Sequence, residues 1–147
     1  MKEDVILTIS GLQNMGQDTG DPIEVITPAN YYYKNGKHYV LYEEVHEDKS
    51  GVTKNTLTFR DSYLSVTKHG ADNVHMVIES EKENVTYYYT PAGMLHIGLN
   101  GQSVSVKRND NTIKVDARYG LNINYEHVAN CELSIDIRPR DLGLGLK

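Results

Sequence analysis

Tryptophan is absent from the 147 residues, and phenylalanine and cysteine each occur once. A lone Cys131 excludes an intrachain disulfide, and with it the stapled scaffolds of small secreted domains. Proline occurs only four times. Pro28 and Pro91 fall inside or beside segments that otherwise read as strands, where proline marks a bend, a bulge or an edge. No apolar run approaches the roughly 20 residues of a membrane helix. The opening "MKEDVILTISGLQ" lacks the apolar core and small-residue cleavage site of a secretory signal. These absences predict a cytoplasmic protein with no membrane partner. Positive charge is scarce too: 15 basic residues against 20 acidic ones leave a net charge of −5. With no basic cluster, a nucleic-acid partner is not expected.

Catalytic motifs are missing as well. There is no G-x-S-x-G, no Walker loop, and no G-x-G-x-x-G after a strand. "GLQNMGQDTGD" is rich in glycine but offers no lysine to a phosphate. The six histidines are not spaced as metal ligands. Glu43 and Glu44 are neighbours on a strand and point to opposite faces, so they cannot form a two-carboxylate centre. Neither a metal nor a cofactor is expected, and Cys131 reads as a buried, inert thiol.

What the chain does have is tyrosine, 11 in all, in a pattern of period two. "YYYKNGKHY" carries the strongest turn signal. Asn35-Gly36 supplies the positive φ angles of a type I′ hairpin, which sets Tyr33 against His38, Tyr32 against Tyr39 and Tyr31 against Val40. Extending that ladder pairs Ala29 with Tyr42 and Thr27 with Glu44; which face of this hairpin points inward is left open. In "TLTFRDSYLSVTK" a turn at Asp61-Ser62 pairs Phe59 with Leu64 and Leu57 with Val66, so four apolar residues share one face. Strands are expected near 4–12, 22–34, 37–47, 53–60, 63–69, 73–80, 84–90, 94–100, 102–108, 111–125 and 129–138. Only "NVHMVIESEKENV" competes as a helix. Tyr87 and Tyr89 are expected to pack with Leu95 and Ile97 across the "TPAG" turn.

Many short strands joined by tight turns predict an all-β antiparallel meander, in one domain over 1–140 with a frayed tail at 141–147. A meander hides its edges by closing into a barrel, here of about eight to ten strands. A barrel of that size can hold one small ligand.

The order of "YYYKNGKHYVLYEE", "NTLTF", "SVTKHG", "YYTPAG", "IKVDARYGLNI" and "NCELSIDI" resembles the YwiB-like family of uncharacterised bacterial proteins, a domain of unknown function. The resemblance runs over roughly 5–138 and implies a lipocalin-like (calycin-type) barrel and no established activity. It matches the family at Tyr42-Glu43-Glu44, Thr56-Leu57, Tyr88 to Gly93 and Tyr119. It departs at Lys68, where the family has arginine, and at Ala92, where it has an aromatic residue. Lysine lacks the planar fork of arginine, so an anion-binding role does not carry over with the fold.

The candidate site is Glu44 with Lys68, opposite charges expected near the barrel mouth, and the tyrosines Tyr31, Tyr33, Tyr42 and Tyr119, whose rings and hydroxyls suit a small-molecule pocket. The leading expectation is a non-enzymatic binder of a small amphipathic ligand inside the barrel. Two others stand beside it: a protein-interaction module or homodimer without ligand, and an enzyme without a recognised motif that uses tyrosine and Glu44 for proton transfer.

Overall fold

A computed structural model describes residues 2–15, 18–19, 23–45, 51–70 and 74–140. The expected tail at 141–147 lies outside the described residues. The chain is all strand: β1 (Lys2–Met15), β2 (Asp18–Thr19), β3 (Ile23–Lys34), β4 (Lys37–Val45), β5 (Val52–Arg60), β6 (Tyr63–Gly70), β7 (Val74–Glu79), β8 (Glu83–Thr90), β9 (Gly93–Asn109), β10 (Thr112–Ile123) and β11 (Glu126–Pro139). Among the described residues no helix is long and apolar enough to cross a membrane. The segment that competed as a helix is strand, turn and strand. Its β-branched residues suit the pleat.

The β3–β4 hairpin is fixed by its turn. Asn35 and Gly36 both take positive φ, 54° and 79°, the pair that a type I′ turn requires. The ladder beyond them runs from Lys34↔Lys37 to Asn30↔Leu41, in the expected register. It stops there. Ala29 and Thr27 do not pair with Tyr42 and Glu44; β3 pairs instead with β1, with Pro28 opposite Ile6. Proline has no N–H to give a second strand, and β4 continues alone with β5. The β5–β6 register is as expected, with Phe59↔Leu64, Leu57↔Val66 and Asn55↔Lys68.

Two expectations are corrected. The break placed between 100 and 102 is one continuous strand, β9, with an irregularity where Arg118 pairs with Ser103 but Tyr119 with Gly101. Gln102 is the extra residue of a bulge, which bends a strand without ending it. The two-residue turn at Pro91-Ala92 also sets Tyr88↔Leu95 and Thr86↔Ile97. Tyr87 and Tyr89 therefore face the other way, outward, opposite His96 and Met94.

The strand order is β7-β6-β5-β4-β3-β1-β11-β10-β9-β8, with β2 added at the side of β1. Consecutive strands pair from β3 to β7 and from β8 to β11, and the first long strand pairs with the last, Val5↔Pro139 through Asn14↔Asn130. The result is a nearly closed antiparallel barrel. A closed ring of ten strands needs ten ladders, and nine are present; the missing one lies between β7 and β8. One end of that gap is shut. Glu81 N donates to Gly101 O at 3.0 Å, Gly101 N to Lys82 O at 2.8 Å, and Ser62 N to Val104 O at 3.0 Å.

Alternation sends one residue in two to the interior. That face carries Val5, Leu7, Ala29, Tyr31, Val40, Leu57, Phe59, Leu64, Val66, Val115, Ile135 and Ile137, one contiguous core. The middle of the barrel is thus filled with side chains.

Candidate functional site

Four inward rows cross β4 to β7, and their polarity changes along the barrel axis. The first is His38, Phe59, Leu64 and Ile78; the second is Val40, Leu57, Val66 and Met76. The third is Tyr42, Asn55, Lys68 and Val74, and the fourth is Glu44, Thr53 and Gly70. An apolar floor gives way to a polar rim two residues further along each strand.

The rim is wired together. Glu44 Oε1 accepts from Lys68 Nζ at 3.1 Å and from Asn55 Nδ2 at 3.0 Å. Lys68 and Glu44 remain partly exposed, 28% and 38%, so solvent weakens their attraction to about 1 kcal/mol or less. Asn55 is different. It is 1% exposed and Thr53 is 0% exposed. The carboxylate of Glu44 only accepts, so the amide nitrogen of Asn55 must face it. The other amide atom, Asn55 Oδ1, is buried with no hydrogen-bond partner. Leaving such an acceptor unmet costs about 1–3 kcal/mol.

Burial, then the charge of Glu44, pushes the Tyr42 phenol up to about 12. At neutral pH Tyr42 is therefore a hydrogen-bond donor and a poor proton acceptor. Asn55 and Tyr42 both line a cleft of about 820 Å³ where β3 and β4 part, with Pro28, Ala29 and Leu41 along its apolar side.

The expected site residues do not all meet here. Tyr42, Glu44 and Lys68 share the rim. Tyr119 stands on β10, five places round the ring from β5. It pairs with Cys131, and burial, then the hydrogen-bonded Cys131 thiol, raises its pKa. Burial also raises the Cys131 thiol, which leaves little thiolate for chemistry.

Tyr31 and Tyr33 lie toward the other end, opposite Val40 and His38, about 13 and 20 Å along the strand from the Glu44 row. There the Tyr31 hydroxyl is 2.7 Å from His38 Nδ1. Tyr33 packs edge-on against the same imidazole but is 51% exposed. Beneath them the His38 ring stacks on Phe59 at 4.9 Å. These two tyrosines support the core and its rim, and they do not face the polar rows.

Burial, with the nearby positive charge of Arg108, lowers the His38 pKa. A neutral ring protonated at Nε2 can accept the Tyr31 O–H at Nδ1. A depressed folded-state value stabilises the protein above the unfolded value of about 6.5 and loses that contribution as pH falls through the folded value. Urea unfolding at pH 7.5 and 5.5 should show the native chain weakening at the lower pH. His38→Gln, which still accepts from Tyr31, should remove most of that difference. An unchanged pH response in the variant would assign the acid sensitivity elsewhere.

Sequence reasoning passed over Asn55 and Thr53. The signal was present: both sit on the parity of Leu57 and Phe59, polar residues at positions the alternation reserves for the core. No group of three or more metal-ligating side chains is assembled among the described residues.

Comparison with known proteins agrees with this architecture. A family model described as a domain of unknown function, DUF1934, matches residues 7–135. The crystal structure of the ywiB protein from Bacillus subtilis superposes with a TM-score of 0.73 at 18% identity, over 91% of each chain. At that identity the likeness speaks for the fold alone. No curated protein matches the sequence.

Proposed function

Because the chain belongs to DUF1934, a family defined as a domain of unknown function, we propose its function from geometry: non-catalytic binding of a small amphipathic molecule at the Glu44–Lys68 end of the barrel. The filled core leaves no central hollow, so the ligand lies in the cleft between β3 and β4. A volume of about 820 Å³ is within the usual range for small-molecule sites. Pro28, Ala29 and Leu41 would meet the apolar body. The observation that carries the reading is Asn55 Oδ1, a buried acceptor whose amide partner is already committed to Glu44. It selects a ligand head with a hydrogen-bond donor: a hydroxyl, an amide N–H or an ammonium.

Dansylcadaverine, an apolar fluorophore with an ammonium tail, is a suitable probe. It should brighten on titration into the purified protein, and its affinity should fall about tenfold in Asn55→Leu, the effect of losing one hydrogen bond to a charged group. The Glu44–Lys68 contact survives in that variant. Melting curves check that it folds. A folded Asn55→Leu protein with unchanged affinity, or a native protein that ignores the probe, would overturn the assignment.

A further inference from the structure

The gap between β7 and β8 is a slot in the wall of the barrel. It is closed at one end by the Gly101 bridge to Glu81 and Lys82 and opens toward the other. At the open end it holds about 300 Å³. Residues from both faces of the sheet line it. Val74, Met76 and Ile97 point inward against the core, and His69, His75 and Tyr87 point outward. A space bounded by inner and outer side chains of two facing edges has the shape of a missing strand.

The edges are not defended. Strand edges are commonly blunted by lysine, proline or short length. β8 reads "ENVTYYYT", with Glu83 at its start as its only charged residue and no proline. Val85, Tyr87 and Tyr89 along it are exposed. The charged and titratable groups lining the slot are Lys68, His69 and His75, besides the two tyrosines Tyr87 and Tyr88. Lys68 is held from behind by Glu44, which does not itself line the slot. His75 Nδ1 lies 2.9 Å from Thr67 Oγ1. Among the described residues no acidic side chain lines the open end of the slot, although the whole chain carries a net charge of −5.

We propose that this slot accepts an extended peptide whose residues alternate apolar and acidic, inserted as a strand that ladders with β7 on one side and β8 on the other. Backbone hydrogen bonds to the β7 and β8 edges supply affinity, and alternate side chains supply specificity. Inward residues of the peptide meet Val74, Met76 and Ile97. Outward carboxylates meet His69 and His75, with Lys68 at the open end. Three residues of each edge line the slot, Val74–Met76 and Thr86–Tyr88, so a segment of about three or four residues makes the central contacts. This site is separate from the β3–β4 cleft and does not depend on ligand binding there.

Fluorescence anisotropy with labelled peptides of about seven residues tests it, the length of an edge strand. A valine–glutamate alternation should bind about tenfold more tightly than a valine–lysine alternation, and more tightly than the same residues in blocks, with the difference shrinking in salt. The double substitution His69→Glu and His75→Glu should reverse the preference. Hydrogen exchange on the native protein with the acidic peptide should slow amides in β7 and β8 and not in the β3–β4 cleft, a readout that stands even if the double variant fails to fold. Absence of binding, equal affinity for both charges, or protection outside the β7 and β8 edges would overturn the proposal. Concentration-dependent dimerisation that buries β8 without peptide would overturn it in favour of a second copy of the chain.

Discussion

Gly101→Val should lower the melting temperature by about 10 °C or more. At Gly101 a Cβ would be driven into the backbone carbonyl of Glu79, with the Glu79 backbone nitrogen only 3.0 Å away. Backbone atoms cannot step aside as a flexible side chain can. The strand would have to withdraw, and the two hydrogen bonds from Gly101 to the β7–β8 turn would go with it. Overpacking costs about 1–3 kcal/mol and each lost hydrogen bond about 0.5–1.5 kcal/mol. Together these give roughly 2–6 kcal/mol, and a domain of this size loses about 2–4 °C per kcal/mol, so about 10 °C from the middle of that range. Gly98, three residues away on the same strand, is the control. A Cβ there meets the Glu83 carboxylate oxygen at 2.7 Å, the far end of a side chain that can rotate. Gly98→Ala should therefore cost less than about 1 kcal/mol. Equal losses from the two substitutions in urea unfolding would show that the close approach at Gly101 does not control stability.

Phe59→Ala should cost about 3–5 kcal/mol, in the range for truncating a buried aromatic side chain. Phe59 is 0% exposed and is the only phenylalanine in the chain. It lies under the His38 ring and beside Leu64. Truncating it opens a cavity and removes the floor beneath the Tyr31–His38 hydrogen bond. The acid sensitivity carried by His38 should shrink in the same variant, because a ring with room above a void is easier to hydrate and protonate. The check is a urea midpoint at neutral pH and again at pH 5.5. A loss below about 1 kcal/mol would mean that the barrel collapses onto the gap without strain.

Much of this architecture was legible in the residues. Asn35-Gly36 and Asp61-Ser62 set two hairpin registers, because a turn of fixed length leaves the side-chain alternation no freedom. Apart from the break placed at 100–102 and the unexpected β2, strand ends read from period two differ from the observed ones by at most three residues. What escaped was non-local. That Pro28 would part β3 from β4 depends on β1 arriving on the other side, which no local pattern announces. That β9 would run on through Gly101 depends on the β7–β8 turn seated against it. The site shows the same limit. Glu44 and Lys68 were found from charge and parity. Asn55 was overlooked because a polar residue between Lys54 and Thr56 looks like a solvated one until the opposite wall is in place. Tyr31 and Tyr33 shared a face with Tyr42 but sit on the apolar rows of Val40 and His38, packed with the core rather than on the polar rows.

The pairing of β1 with β11 ties the order of synthesis to the order of assembly. β11 lies between β1 and β10 in the sheet, so both neighbours keep an open flank until the final ribbon has left the ribosome. The early hairpins can form as they emerge, but the ring is completed by the last of its own strands to be made. A nascent chain that stalls before Glu126 therefore presents two sticky borders at once, and those borders are where a chaperone would be needed.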